Sequence, residues 1–276
     1  NNVVLTVTDV NGNSSTANAV VTVVDNTIPV WTTPINSLDR VVACGQNQLL
    51  AAAQALEPVA FDNCGYSISK TSGAFVPSGT PGGAGSYTNI WIVMDPSSNQ
   101  SVQFTQVINV ESVTIDASAS STPIPMGSPA NLTATVAPNL GGVSVTFELR
   151  NEANVIVYTT TVLTNASGVA TAFTANLGII GVYKVTATAG AGCATSTAYI
   201  PVYDANGNFV TGGGWIYSKP GDLVTDPSAE GKANFGFVAK YKTGKNQIDQ
   251  VEGNTNFQFK EGDFHFKSTS HDDLSL

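Results

Sequence analysis

The feature that most constrains the fold is a strand hairpin that occurs twice, each time followed by an acidic residue. The first copy, TVTDVNGNSSTANAVVTVVD, ends at Asp25, and the second, IVMDPSSNQSVQFTQVINVE, ends at Glu111. The two copies are about 86 residues apart, a spacing too long for a solenoid repeat and typical of an immunoglobulin-like sandwich. The repeat therefore predicts tandem β-sandwich modules. Residues 1–25 are then the last two strands of a preceding domain, and residues 26–111 form the next one.

Composition supports an all-β chain and excludes some functions. Charged residues make up 11% of the sequence, the formal net charge is −9, and the pI is near 4.5. Valine, threonine, alanine, serine and glycine dominate instead, as in short strands joined by tight turns. Because nucleic-acid binding requires a basic face, we expect no nucleic-acid partner. The sequence also has no apolar run of about 18 residues, so we predict no membrane span in this segment.

Two further domains follow. Residues 112–202 contain five clearly alternating strand segments, separated by turns such as Gly141-Gly142 and Asn165-Ala166-Ser167-Gly168, and this pattern predicts a complete sandwich. Residues 203–276 carry most of the basic residues and both histidines, His265 and His271. The segments FQFK and FHFK alternate aromatic and polar residues, which indicates a distinct β-rich domain, incomplete at its C-terminus. One segment, residues 48–57, favours a short helix.

Several motifs resemble known families. Residues 26–111 resemble the hyaline repeat module of long extracellular adhesion proteins, through the joint Asp25-Asn26-Thr27-Ile28-Pro29, Cys44 and the motif Asp62-Asn63-Cys64-Gly65. Residues 112–202 resemble the bacterial Ig-like modules of intimin- and invasin-type surface proteins, through ANLTATV and GVYKVTA. Residues 203–276 resemble a β-rich domain that follows such repeats in large secreted bacterial proteins. Together these resemblances imply a bacterial surface or secreted protein of Bacteroidota type.

The hyaline-repeat resemblance also implies a disulfide between Cys44 and Cys64, which would persist in an oxidising compartment. The third cysteine, Cys193, is left without a partner in this scheme. It is expected either to stay as a buried thiol or to pair with a cysteine outside the segment.

Oxygen-rich motifs give one candidate metal site. Asp25 and Asn26, at the joint between modules, are candidate calcium ligands that could meet Asp62, Asn63 or Asp95. The alternative is that these residues only cap turns. Asp9, Asn11 and Asn13 have the spacing of half a calcium loop, but Val20 stands where the loop needs a bidentate Glu, so we predict an Asn-Gly hairpin turn there.

We therefore predict a structural or adhesive segment of a large extracellular bacterial protein, a stalk or filament without enzymatic activity. Its partners would be neighbouring domains of the same chain or filament, and a surface glycan or another cell-surface protein. The alternative is a glycan-binding or non-catalytic accessory region of a secreted polysaccharide-active enzyme, in which Trp31, Trp91, Trp215 and Tyr217 stack on sugars. Alternating aromatics on strands more often belong to the core. No cofactor other than calcium is expected.

Overall fold

The structure, a computed structural model, describes residues 2–79, 81–206, 209–242 and 250–271. It consists of two compact units. Unit 1 contains Asn1–Asp39, Ala55–Ala74 and Tyr87–Val107, and unit 2 contains Arg40–Gln54, Phe75–Ser86 and Ile108–Leu276. The four domains predicted from the sequence, residues 1–25, 26–111, 112–202 and 203–276, are not the same division as these two units, and they stay a prediction.

Unit 1 is built from short antiparallel pairs. Strands β1 (Asn2–Thr8) and β2 (Ser14–Val20) form a hairpin whose residues are all exposed. Strand β3 (Val30–Trp31) pairs with β5 (Ala60–Phe61), and β6 (Ser67–Ser72) pairs with the part of β8 (Gly85–Met94) that lies in this unit. The first residues of β9 (Phe104–Glu111) complete it.

The centre of unit 1 is aromatic and partly polar. The Trp91 side chain is 1% exposed, and its ring meets Phe104 edge-on at 6.1 Å between centroids. Trp31 packs on the other side of the core, 5.4 Å from Phe104. Beside them, the Asn89 amide donates a 2.9 Å hydrogen bond to Gln106, whose own amide donates to the Leu38 carbonyl. The buried amides of Asn89 and Gln106 are thus paired, as burial requires.

Unit 2 begins with elements around Cys44. Strand β4 (Arg40–Ala43) pairs in parallel with Ile108–Glu111 of β9. Helix α1 (Asn47–Gln54) overlaps the segment predicted to be helical, residues 48–57, and begins one residue earlier. Strand β7 (Val76–Pro77) pairs with Gly85 and Ser86 of β8.

Two sheets then form a sandwich. One has three strands in the order β10 (Thr114–Asp116), β12 (Pro129–Ala137), β15 (Val169–Asn176). The other has five, in the order β11 (Ile124–Pro125), β17 (Ala194–Tyr203), β16 (Gly181–Ala189), β13 (Ser144–Arg150), β14 (Ile156–Leu163). A short 3-10 helix spans Ser118–Ser120. Alternate residues such as Val145, Phe147 and Leu149 are fully buried between the sheets, as the sequence alternation predicts.

The last sheet is an antiparallel meander of β18 (Phe209–Ser218), β19 (Gly231–Tyr241), β20 (Val251–Phe259) and β21 (Phe264–Lys267). Val238 of this sheet packs in one apolar cluster with Val182 and Tyr199 of the sandwich. Burial raises the pKa of Tyr199 to about 12. The predicted all-β class, with Ig-like sandwich architecture followed by a β-rich region, is confirmed.

Candidate metal centre

Three carboxylates that are far apart in the sequence meet in unit 1. Asp25 lies in the segment after β2, Asp62 directly follows β5, and Asp95 directly follows β8. One carboxylate oxygen from each lies within 4.8 Å of the others. Asp95 is buried, with 5% of its surface exposed, and the other two are half-buried. We call Asp25, Asp62 and Asp95 the carboxylate cluster.

Asp95 is fixed by a tight turn. Its Oδ1 accepts a 2.8 Å hydrogen bond from the Asn99 backbone N–H, and its Oδ2 accepts a 2.7 Å bond from the Asn99 side-chain amide. The same Asn99 amide donates to the Asp25 carbonyl at 2.9 Å. Asn99 therefore ties the hairpin turn to the joint. Sequence reasoning missed this residue as part of the site, although the equivalent spacing of Asp9 and Asn13 pointed to it.

Asp25 and Asp62 each use one oxygen and leave one unused. Asp25 Oδ1 accepts from the Thr27 N–H at 2.9 Å, and Asp62 Oδ2 accepts from the Cys64 N–H at 2.8 Å. Asp25 Oδ2 and Asp62 Oδ1 are buried and have no hydrogen-bond partner among the described residues. Because a buried acceptor without a partner is costly, these two oxygens fit a bound cation.

Hydrogen bonds favour the ionised form of the Asp25 carboxylate. The backbone hydrogen bond from Thr27, followed by one from the Cys64 thiol, lowers the pKa of Asp25. The hydrogen bond to Asp25 in turn raises the pKa of Cys64, as do burial and the charges of all three cluster carboxylates. Oxygen donors of this kind suit Ca²⁺, whereas zinc favours sulfur and nitrogen ligands. Of the other predicted ligands, Asn26 and Asn63 are chain neighbours of the cluster, with exposed side chains.

The predicted disulfide between Cys44 and Cys64 is wrong. Cys44 is bonded to Cys193, with their Cα atoms 6.2 Å apart, and Cys64 is free and exposed. Cys44 belongs with Cys193 to unit 2, whereas Cys64 belongs to unit 1, where its backbone binds Asp62. Two glycines with positive φ, Gly83 and Gly190, leave room for the bridge. A Cβ on either would come within 2.5 Å of a bridge sulfur.

The aromatic residues of the glycan alternative divide into two pairs. Trp91 is buried, and Trp31 packs on Phe104 while its indole N–H donates to the Val102 carbonyl. Trp215 and Tyr217 are about half exposed on β18, and the Lys232 ammonium lies 4.1 Å from the Trp215 ring centroid. Among the described residues, no helix has the length and apolarity needed to cross a membrane.

Comparison with known proteins gives only weak similarities to solved structures. No family model matches it, and no curated protein matches it. Among solved structures, the D00-D0 domain of intimin is 16% identical with a TM-score of 0.24, covering 64% of this chain and 99% of that one. Four N-terminal Ig domains of Dscam1 isoform 8.4 are 10% identical with a TM-score of 0.26, covering 70% and 52%. Latent PorU from Porphyromonas gingivalis is 16% identical with a TM-score of 0.27, covering 65% and 20%. At these values the neighbours have no bearing on the function of this chain.

Proposed function

We propose that this chain is a structural and adhesive segment of a large extracellular bacterial surface protein. Its tandem β-sandwich modules form a stalk, and a calcium ion held by the carboxylate cluster stiffens the joint at Asp25. The observation that carries the proposal is the meeting of three carboxylates from a joint, a loop and a hairpin. Two of their buried oxygens lack a hydrogen-bond partner within the part of the chain that the structure describes. The hyaline-repeat and Bacteroidota resemblances support the same assignment.

The cation would act on the joint through charge. Three carboxylates within 4.8 Å of one another repel, and the repulsion favours structures in which the Asp25 segment moves away. A bound Ca²⁺ replaces this repulsion with shared coordination, so that the joint, the Asp62 loop and the Asp95 turn are held together. A stiff joint is what a stalk requires to project its tip.

The remaining features suit an exported structural protein. The Cys44–Cys193 bridge is of a kind that persists in oxidising compartments. Few lysines and arginines, 11 in total, leave few cleavage sites for basic-specific proteases. The proposed partners are therefore neighbouring modules and a surface ligand, and no enzymatic activity is assigned.

The test is calcium binding by the whole chain. Titration calorimetry is expected to show one Ca²⁺ bound per chain, and the unfolding temperature of unit 1 is expected to be higher in calcium than in EDTA. Asp62→Asn should remove both effects. Asp226→Asn is the matched control, because Asp226 also accepts hydrogen bonds in an exposed turn, from Ser228. Identical melting of the parent chain in calcium and in EDTA, with no heat of binding, would overturn the proposal.

The glycan-binding alternative depends on Trp215 and Tyr217, since these aromatics are exposed. If it holds, polysaccharide pull-down by the full chain is lost in the Trp215→Ala variant. The control is Phe266→Ala, which removes an exposed aromatic from the opposite face of the same sheet. Pull-down that is absent from the parent chain, or unchanged by Trp215→Ala, would rule this alternative out.

A further inference from the structure

The turn of the exposed β1–β2 hairpin repeats the turn that holds Asp95. In both turns, the backbone N–H of the Asp donates a hydrogen bond to the carbonyl of the Asn four residues later, at 2.9 Å for Asp9 and 3.1 Å for Asp95. In both, the Asn N–H returns a 2.8 Å bond to the Asp Oδ1, and the Asn side-chain amide binds Oδ2. The residue before each Asn has a positive φ, 85° at Gly12 and 71° at Ser98. The sequence repeat is therefore also a repeat of backbone and hydrogen bonds.

The first strands of the two copies differ in burial. By the same offset of 86, Val3, Leu5 and Val7 correspond to Asn89, Trp91 and Val93. The latter are buried. Trp91 and Asn89 contact Phe104 and Gln106 of the second hairpin strand, and these in turn contact Trp31 and the Leu38 carbonyl, which precede the hairpin in the module. Val3, Leu5 and Val7 are instead 48%, 63% and 61% exposed.

An uncovered face of this kind is unfavourable in water. Ser15, Ala17 and Ala19 lie opposite Val7, Leu5 and Val3 in the register of the hairpin, so this side of the ribbon is small or apolar throughout. A two-stranded hairpin without a packed face is marginally stable at best. The internal copy shows what completes such a hairpin, because its first strand pairs along β6 and its Phe104 ring packs on Trp31 from the earlier part of the module.

We propose that the β1–β2 face formed by Val3, Leu5 and Val7 is a docking surface for a second module of the same type as residues 26–111. That module supplies a β6-like strand that pairs with β1, and an aromatic core that covers the three side chains. The carboxylates of that module that are equivalent to Asp25 and Asp62 form a cluster with Asp9, in the same way that Asp25 and Asp62 form a cluster with Asp95. The part that concerns Asp9 rests on the proposed calcium function, whereas the docking of the apolar face does not.

The internal spacing gives a direct experiment. By the offset of 86, Tyr87 is the counterpart of Asn1. A second copy of residues 25–86 is therefore placed directly before Asn1. In this extended chain, the β1–β2 hairpin follows a joint and a loop at the same distance as its internal copy does. Hydrogen exchange of residues 2–20 is compared in this extended chain and in the original one. We expect exchange at least tenfold slower in the extended chain, in EDTA as well as in calcium. Calcium stoichiometry should rise from one to two, and Asp9→Asn should return it to one.

Matched variants identify the face. In the extended chain, Leu5→Asp should abolish the protection of β1, whereas Thr6→Asp on the opposite face should leave it. Equally fast hydrogen exchange of residues 2–20 in both chains would overturn the proposal. Fast exchange of the added β6 segment would also overturn it, because the proposal requires that segment to pair with β1. Protection of the hairpin in the original chain through dimerisation, seen by light scattering, would also overturn it. A protected hairpin without calcium binding in either chain leaves the docking in place and refutes only the cation function.

Discussion

The sandwich of residues 112–203 and the centre of unit 1 are both β-rich, but they are held together in different ways. In the sandwich, alternate aliphatic and aromatic side chains from facing sheets are fully buried, with Phe147 at the middle. In unit 1, buried Trp91 and Val93 lie beside buried Asn89, Gln106 and Asp95. The difference shows that similar strand patterns can be stabilised mainly by apolar packing, or by packing together with a few directed polar contacts and charges.

The two kinds of core should respond differently to change. Apolar packing is lost in proportion to the volume removed, and it is insensitive to ions. A polar core loses stability when one partner is removed and regains part of it when both are removed, because an unpaired buried group is the main cost. Each prediction below tests one side of this contrast, from the largest expected effect to the smallest.

The largest effect should come from truncating the middle of the sandwich. Phe147→Ala is expected to lower the free energy of unfolding by about 3–5 kcal/mol, because it opens a cavity between two packed sheets. Urea unfolding followed by circular dichroism measures the loss. Phe173→Ala is the matched control, since Phe173 is 64% exposed, and it should cost far less. A loss below about 1 kcal/mol for Phe147→Ala would show that apolar packing does not dominate this core.

Next in size is the bridge that the sequence analysis assigned to the wrong partner. Cys44 and Cys193 are 149 residues apart, so their bond closes a long loop in the unfolded chain. Cys193→Ser is expected to cost about 2–5 kcal/mol. Cys64→Ser should leave stability in EDTA within about 0.5 kcal/mol, as expected for an exposed residue outside the bridge. Equal losses for both variants would contradict the assigned pairing.

The polar side of the contrast is tested by Asn89 and Gln106. Gln106→Leu removes the acceptor of the Asn89 amide and the donor to the Leu38 carbonyl, and about 1–3 kcal/mol should be lost. Replacing both Asn89 and Gln106 by leucine should cost less than the sum of the two single changes. Additive losses in this double-mutant cycle would mean that the two amides are not coupled.

Alternation made the sandwich predictable, because β12, β13 and β16 alternate buried residues with more exposed ones. The apolar–polar alternation of residues 143–149 and 182–188 predicts two strands, and the observed strands Ser144–Arg150 and Gly181–Ala189 match these bounds within one residue. The sequence predicts that the joint residue Asp25 could meet Asp62 or Asp95 as oxygen ligands, and the structure brings all three carboxylates together. The spacing of Asp9 and Asn13 points to the bonds between Asn99 and Asp95, but the bond from Asn99 to the Asp25 carbonyl joins distant segments. The pairing of Cys44 with Cys193 also depends on contacts between distant segments, which no local pattern encodes.

The smallest predicted effect concerns an ion pair between the sandwich and the last sheet. Burial raises the pKa of Asp116, but hydrogen bonds from Lys232 and Ser118 outweigh it, so that the pKa lies below the usual value of 3.8. The pair therefore stabilises the fold above about pH 4, and this contribution is lost as the pH falls through the lowered pKa. Both side chains are about a third or more exposed, so screening limits the gain to less than about 1 kcal/mol.

Lys232→Met should thus lower the free energy of unfolding slightly at pH 7 and not at pH 2.5, whereas Lys219→Met should change the free energy at neither pH. A loss for Lys232→Met that is equal at both pH values would assign its role to packing against Trp215 instead.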